Sequence, residues 1–259
     1  MKVTSCLRST VIALCLAAFA ASSPNPVLAQ ASAVPSATAS SDPFTLLSPG
    51  NLSLTIFGGG DISADYGTSD QGVQLHQSIT HNINFVARAI GYQLYINDHF
   101  DNPLNPGTGH HSRYNFGRLQ AGLDFHLSES TYISILGGRD VGDSNAASVE
   151  GDFSTWLLRS WRHPVNLATS SIFTTENQVV SNEVDLRAIL YSNDSYTVLL
   201  GGGGAIYAGG FVHGVAGQGG PIFGVFFPKW RAGFDLQTGY GSAKEYGEIA
   251  FYKQFKWTE

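Results

Sequence analysis

Apolar and polar residues alternate along much of this chain. From Leu52 to Tyr66, Leu52, Leu54, Ile56, Gly58, Gly60, Ile62, Ala64 and Tyr66 share one parity, while Ser53, Thr55, Asp61, Ser63 and Asp65 take the other. Successive side chains of a strand point to opposite faces, so period two predicts a ribbon with one greasy side. The same split runs through Leu119, Ala121, Leu123, Phe125 and Leu127 against Arg118, Gln120, Asp124 and His126. It returns with Val180, Val184, Leu186, Ala188 and Leu190 against Glu183, Asp185 and Arg187, and with Trp230, Ala232, Phe234 and Leu236 against Arg231, Asp235 and Gln237. The last segment sets Ile249, Phe251, Phe255 and Trp257 against Glu248, Tyr252, Gln254 and Lys256, with Lys253 the one charge on its apolar side. Ile83 to Ile96 and Phe153 to Arg162 are apolar on both parities, which predicts bulges or burial on two faces there.

Short polar links fall near His81-Asn82, Ser128 to Ser130, His163-Pro164, Asn193-Asp194 and Pro228-Lys229. Longer ones fall at Gly67 to Gln71, Asn97 to Arg113, Asp140 to Ser148, Thr175 to Gln178, Gly209 to Gly220 and Gly241 to Glu245. Short and long connections thus alternate, as in a barrel with brief turns at one rim and loops at the other. The predicted fold class is all-β: an antiparallel up-and-down transmembrane β-barrel of about 12 strands.

The uncharged stretch around Val198 to Gly217 tests that expectation. A spanning helix needs about 20 apolar residues, but eight of these 20 are glycine. Each costs a helix interior roughly 0.8 to 1 kcal/mol relative to alanine. A dinucleotide loop needs a third small residue, and Ile206 and Tyr207 stand in that slot. The remaining reading is a strand from Tyr196 to Ala208, a glycine-rich loop, and a strand from Ile222 to Phe227. Glycines in such a strand admit a neighbouring backbone or a bulky lumen side chain.

Alternation also fits a soluble sandwich, in which the apolar parity points into a core. Composition separates the two. Only 13% of residues are charged, against about a quarter in typical soluble domains. Tyr66, Tyr95, Tyr132, Tyr240, Trp230 and Trp257 lie near predicted strand ends, where an interfacial girdle wants amphipathic rings. Charges avoid the apolar parity of the cleanest strands, as a lipid face requires when each costs about 2 to 4 kcal/mol near mid-membrane.

The N-terminus reads as a secretory signal over residues 1–29: Lys2 and Arg8, an apolar run from Thr10 to Ala21, and Val27-Leu28-Ala29 before Gln30. Residues 30–50 are rich in Ala, Ser, Thr and Pro and read as a flexible segment, with the barrel domain at 51–259. Removing the signal takes away Cys6 and Cys15, leaving no thiol for a disulfide or metal. It also takes two of the 14 Lys+Arg, so 12 remain against 20 Asp+Glu, a net charge of −8. No nucleic-acid partner is expected, because phosphate binding needs clustered cations.

The signal, the alternating strands and the closing segment Ile249 to Trp257, with its Phe and Trp side chains, resemble the bacterial outer-membrane β-barrel (porin-like) class, with no particular family singled out. The resemblance implies the cell outer membrane, with short turns toward the periplasm, outer-membrane lipid as a partner, and a homo-oligomer left open.

In such a barrel the polar parity lines the lumen: Asp61, Asp65, His76, Arg118, Asp124, His126, Glu183, Asp185, Arg187, Arg231, Asp235, Glu248 and Lys256. These groups either pair and fill the interior or wall a water path that selects by size and charge. The expected function is a channel for small polar solutes, without cofactor. Two other classes stay open. His76 and Ser78 form an H-x-S pair on one strand face, a spacing similar to that of outer-membrane phospholipases and lipid A deacylases, where histidine activates the serine hydroxyl. Val73, Leu75 and Ile79 hold the lipid parity, however, so this pair points into the lumen. A structural or assembly barrel without conduction is the other. In the longest loop, Asp98, His99, Asp101, His110 and His111 are candidate ligands for a divalent cation, a composition that also suits a solvated loop.

Overall fold

The computed structural model describes residues 52–63, 66–96, 112–128, 130–157, 162–175, 180–209, 212–241 and 244–257. The expected signal and the flexible segment lie outside them. The strands are β1 Leu52–Ser63, β2 Tyr66–Thr80, β3 Ile83–Ile96, β4 Ser112–Ser128, β5 Thr131–Gly142 and β6 Ala147–Leu157. They continue with β7 Val165–Thr174, β8 Val180–Ser192, β9 Thr197–Gly209, β10 Val212–Phe227, β11 Ala232–Gly241 and β12 Lys244–Trp257. Each pairs with its chain neighbours, and β1 joins β12 to close the barrel. That joint is antiparallel and runs unbroken from Leu52 opposite Trp257 to Ser63 opposite Tyr246. Closure leaves no free edge, so the ladder satisfies its own backbone groups. The strand number and topology are those the alternation predicts.

The alternation also assigns the faces correctly. Ile135 is 54% exposed on the outside while Ser134 beside it is 4% exposed on the inside. Ile56, Val73, Leu123, Leu186 and Phe251 form the same outer surface, and Ser53, Thr55, Gln74 and Gln120 the inner one. Exposed aromatic rings stand at the rims. Tyr191 and Tyr196 lie 5.5 Å apart, as do Phe227 and Trp230, near the end that also carries Trp257. Tyr95 and Tyr240 are exposed at the other end. Tyr132 departs from the expected girdle: it shares the inward parity of Ser134, with its ring 6.1 Å from His126. Lys253 keeps the apolar parity by snorkelling, its ammonium donating to the Trp230 carbonyl and lying 5.6 Å from the Phe255 ring.

Two expected links are strand instead. Gly67 to Gln71 lies inside β2, and Val212 to Gly220 inside β10. Glycine lacks a side chain but keeps its ladder donor and acceptor, so Gly219 opposite Gly204 and Gly220 opposite Gly203 still pair. The links 64–65, 210–211 and 242–243 are therefore two residues each, and the contrast of long with short rests chiefly on 97–111. Register shifts at Ser78/Thr80, His126/Ser128 and Ile189/Tyr191 gather at the rim holding Leu52 and Trp257, where bulges adjust strand twist.

Candidate lumenal site

With strands about 4.8 Å apart and tilted about 40°, a barrel of this strand number has a backbone radius of roughly 12 Å. Long side chains from facing walls meet in such a space. Across β2 to β6 they form a ladder of ion pairs. Nearest the β2–β3 turn, His76 Nε2 is 2.9 Å from Asp124 Oδ2, and the Asn84 amide is 2.9 Å from His126 Nε2. Next, Arg88 donates to Gln74 Oε1 at 2.6 Å and Glu150 Oε1 at 2.5 Å, with Asp152 3.6 Å away. The Gln120 amide donates to the second Glu150 oxygen at 2.7 Å. Farther along, Arg118 grips Asp140 through both oxygens, at 2.7 and 3.1 Å, and Ser144 donates to the same carboxylate. The guanidinium lies 5.5 Å from the Tyr92 ring, itself stacked on Phe116 at 4.8 Å. Two-point Arg–carboxylate bonding fixes geometry as well as charge.

The opposite wall is built differently. Arg187 on β8 donates to Asp185 at 2.7 Å and, across the barrel sheet, to Asp235 on β11 at 3.0 Å. Inward positions of β9 to β11 are often glycine, and neighbouring side chains lie flat against them. A Cβ on Gly203 would sit 1.7 Å from Asp185 Oδ1, and one on Gly233 would sit 2.4 Å from the Tyr252 hydroxyl. Below these, toward the Leu52/Trp257 rim, Leu199, Phe226 and Tyr252 pack together with Phe57 and Ile189. Toward the opposite rim, Asp61, Asp70 and Glu248 come from adjoining strands, with Asp61 directly opposite Glu248 in register.

Of the residues the sequence singles out, Asp61, His76, Arg118, Asp124, Asp185, Arg187 and Asp235 are buried on the inner wall. His126, Glu183, Glu248 and Lys256 share that inward parity and are partly exposed. Arg231 follows the 3₁₀ turn Pro228–Trp230 with φ 48, and its guanidinium donates to the side-chain oxygen of Gln254, which is 1% exposed on the inward parity of β12. Asp65, Asp98, His99, Asp101, His110 and His111 lie outside the described residues. Among the described residues no cluster of ligands could hold a metal ion. The H-x-S pair faces inward as its parity requires: His76 is 2% exposed and engages Asp124, and the Ser78 hydroxyl donates to the Thr80 carbonyl at 2.9 Å.

Sequence reasoning missed Asp70, Arg88, Asp140, Glu150 and Asp152. Arg88 sits among inward Val86, Ile90 and Tyr92, so its strand is apolar on both faces and hides the parity. Asp70 falls in the stretch read as a link. Asp140 likewise falls at the start of the stretch read as a link, Asp140 to Ser148, but lies within β5.

No family model and no curated protein sequence matches the chain. Solved structures do. The chain is similar to the COG4313 outer membrane channel from Pseudomonas putida F1, at TM-score 0.53 and 10% identity, covering 90% of this chain and 100% of that one. It is equally similar to the β domain of the Bordetella autotransporter BrkA, at TM-score 0.53 and 9% identity, covering 80% and 100%. The NanC porin aligns at TM-score 0.48 and 7% identity, covering 79% and 100%. At such identities the likeness is one of fold, and the fold is that of outer-membrane β-barrels.

Proposed function

We propose that the protein is an outer-membrane channel with a narrow lumen for small polar solutes, exported by a signal peptide that is then removed. The observation that supports this best is the inversion of polarity: the outer surface is a band of exposed aliphatic and aromatic side chains, and most charged side chains of the strands are inside. That arrangement suits hydrocarbon outside and water within. Along β9 to β11 many inward positions are glycine, and Glu183 and Glu248 on the flanking strands β8 and β12 are partly exposed. A solute path would follow this side, because the β2 to β6 side is filled by the arginine ladder.

A barrel that anchors or assembles without conducting is the second reading. It is favoured by the burial of the mid-lumen groups, with Glu150 and Asp185 each 1% exposed, and by the apolar cluster of Leu199, Phe226 and Tyr252 across the path. Planar-bilayer recording of the purified, folded protein separates them. Stepwise conductance supports the channel, and silence supports the anchor. The hydrolase reading draws no support from an inward, Asp124-bound His76, since acyl chains lie on the other face.

A further inference from the structure

The two inner walls differ in charge balance. On the β2 to β6 side each arginine meets a carboxylate partner at bonding distance. On the other side Asp61, Asp70, Glu183 and Glu248 face the lumen, together with Asp185. The Glu248 carboxylate stands in electrostatic range of Asp61, Asp70 and Asp185, and of the Arg187 guanidinium. Arg187 already donates to Asp185 and Asp235.

A second observation shows where an outside charge is wanted. Asp70 is 7% exposed, and its Oδ2 has no hydrogen-bond donor among the described residues. Its charged neighbour is another acid, Asp61. A buried carboxylate oxygen without a donor is costly, and beside a like charge more so. Gly203 and Gly239 carry no side chain, and the Asp185 carboxylate and the Tyr246 ring lie against them. The geometry points to a cation-holding stretch of the lumen formed by Asp61, Asp70 and Glu248. It passes small cations in preference to anions.

The spacing also sets the kind of cation. No group of three such ligands is close enough to enclose a bare metal ion among the described residues. The acids therefore act through the hydration shell or on the ammonium of a small organic cation, as a field rather than a cage. Anions entering the same stretch meet like charge on three adjoining strands and are turned back.

The inference rests on the conducting reading, and the experiment keeps the two apart. Wild-type protein and the D70N/E248Q variant are recorded in planar bilayers under a potassium chloride gradient. The expected result is a cation-to-anion permeability ratio of about ten in the wild type, falling about threefold or more in the variant. Conductance with a ratio at or below one overturns the cation inference and leaves the channel standing. An unchanged ratio in the variant overturns the assignment to these residues. Silence of both proteins overturns the channel, and the site is then read by thermal unfolding in detergent. There, exchanging tetraethylammonium chloride for potassium chloride at constant ionic strength raises the wild-type midpoint and leaves D70N/E248Q unmoved. Equal behaviour of the two proteins overturns the site. Should the double variant fail to fold, D70N alone serves in both assays, with half the effect.

Discussion

Arg187 is the residue whose loss the barrel should feel most. Its two bonds, 2.7 Å to Asp185 and 3.0 Å to Asp235, tie β8 to β11 across β9 and β10. Charge-assisted hydrogen bonds contribute about 1.5 to 3 kcal/mol each, so the pair together is worth about 3 to 6 kcal/mol. The direct figure for removing one member of a buried ion network is about 3 to 5 kcal/mol, because it strands the remaining charge. Arg187→Met keeps the length and removes the guanidinium. It should lower stability by about 3 to 5 kcal/mol, or two to three and a half decades in the folding constant. Guanidinium titration in lipid vesicles, followed by tryptophan emission, measures this, since Trp257 sits exposed on the outer face of β12. The triple variant D185N/R187M/D235N removes the stranded charges and should recover most of the loss. A cost below about 1 kcal/mol for Arg187→Met would refute the argument, because it would mean that water already reaches these acids.

Ile135→Arg, on the outer face of β5 midway between its ends, should cost about 2 to 4 kcal/mol in the same vesicle titration, whereas Trp230→Arg at the rim should cost about 0 to 1. Gly233→Val should cost about 1 to 3 kcal/mol by pushing Tyr252 off the wall; combining it with Tyr252→Ala should cost less than the sum of the single changes. Lys253→Leu should stay within about 0.5 kcal/mol of wild type by the same measurement, since its ammonium makes its contacts, to the Trp230 carbonyl and the Phe255 ring, at the exposed rim. Ser78→Ala should leave phospholipid and lipid A intact to the same extent as wild type in a mass-spectrometric lipid assay, and any hydrolysis lost with it would restore the enzyme reading.

Period two carried most of the fold, since a strand that faces lipid on one side and water on the other has to write both faces into its sequence. That is why Asp185, Arg187 and Asp235 could be placed without coordinates. It failed where one face is not uniform. β3 points Val86, Ile90 and Tyr92 inward around Arg88, and the arginine disappears among them. The glycines of β10 looked like a loop because glycine takes no side in the alternation. Which acid meets which arginine was out of reach, because Arg88 and Glu150 lie 62 residues apart and only the register of four strands brings them together.

The joint between β1 and β12 carries a consequence for how the barrel is made. Leu52 finds its partner Trp257 only when the last residues of the final strand arrive. Until then the first strand offers an unpaired row of amides and carbonyls, and so does whichever strand is newest. An incomplete chain is thus a sheet with two sticky margins, and neither can be shed by folding the middle first. Delivery to the bilayer must therefore guard those margins until the ring is joined, and deleting the final strand should yield aggregates instead of a smaller ring.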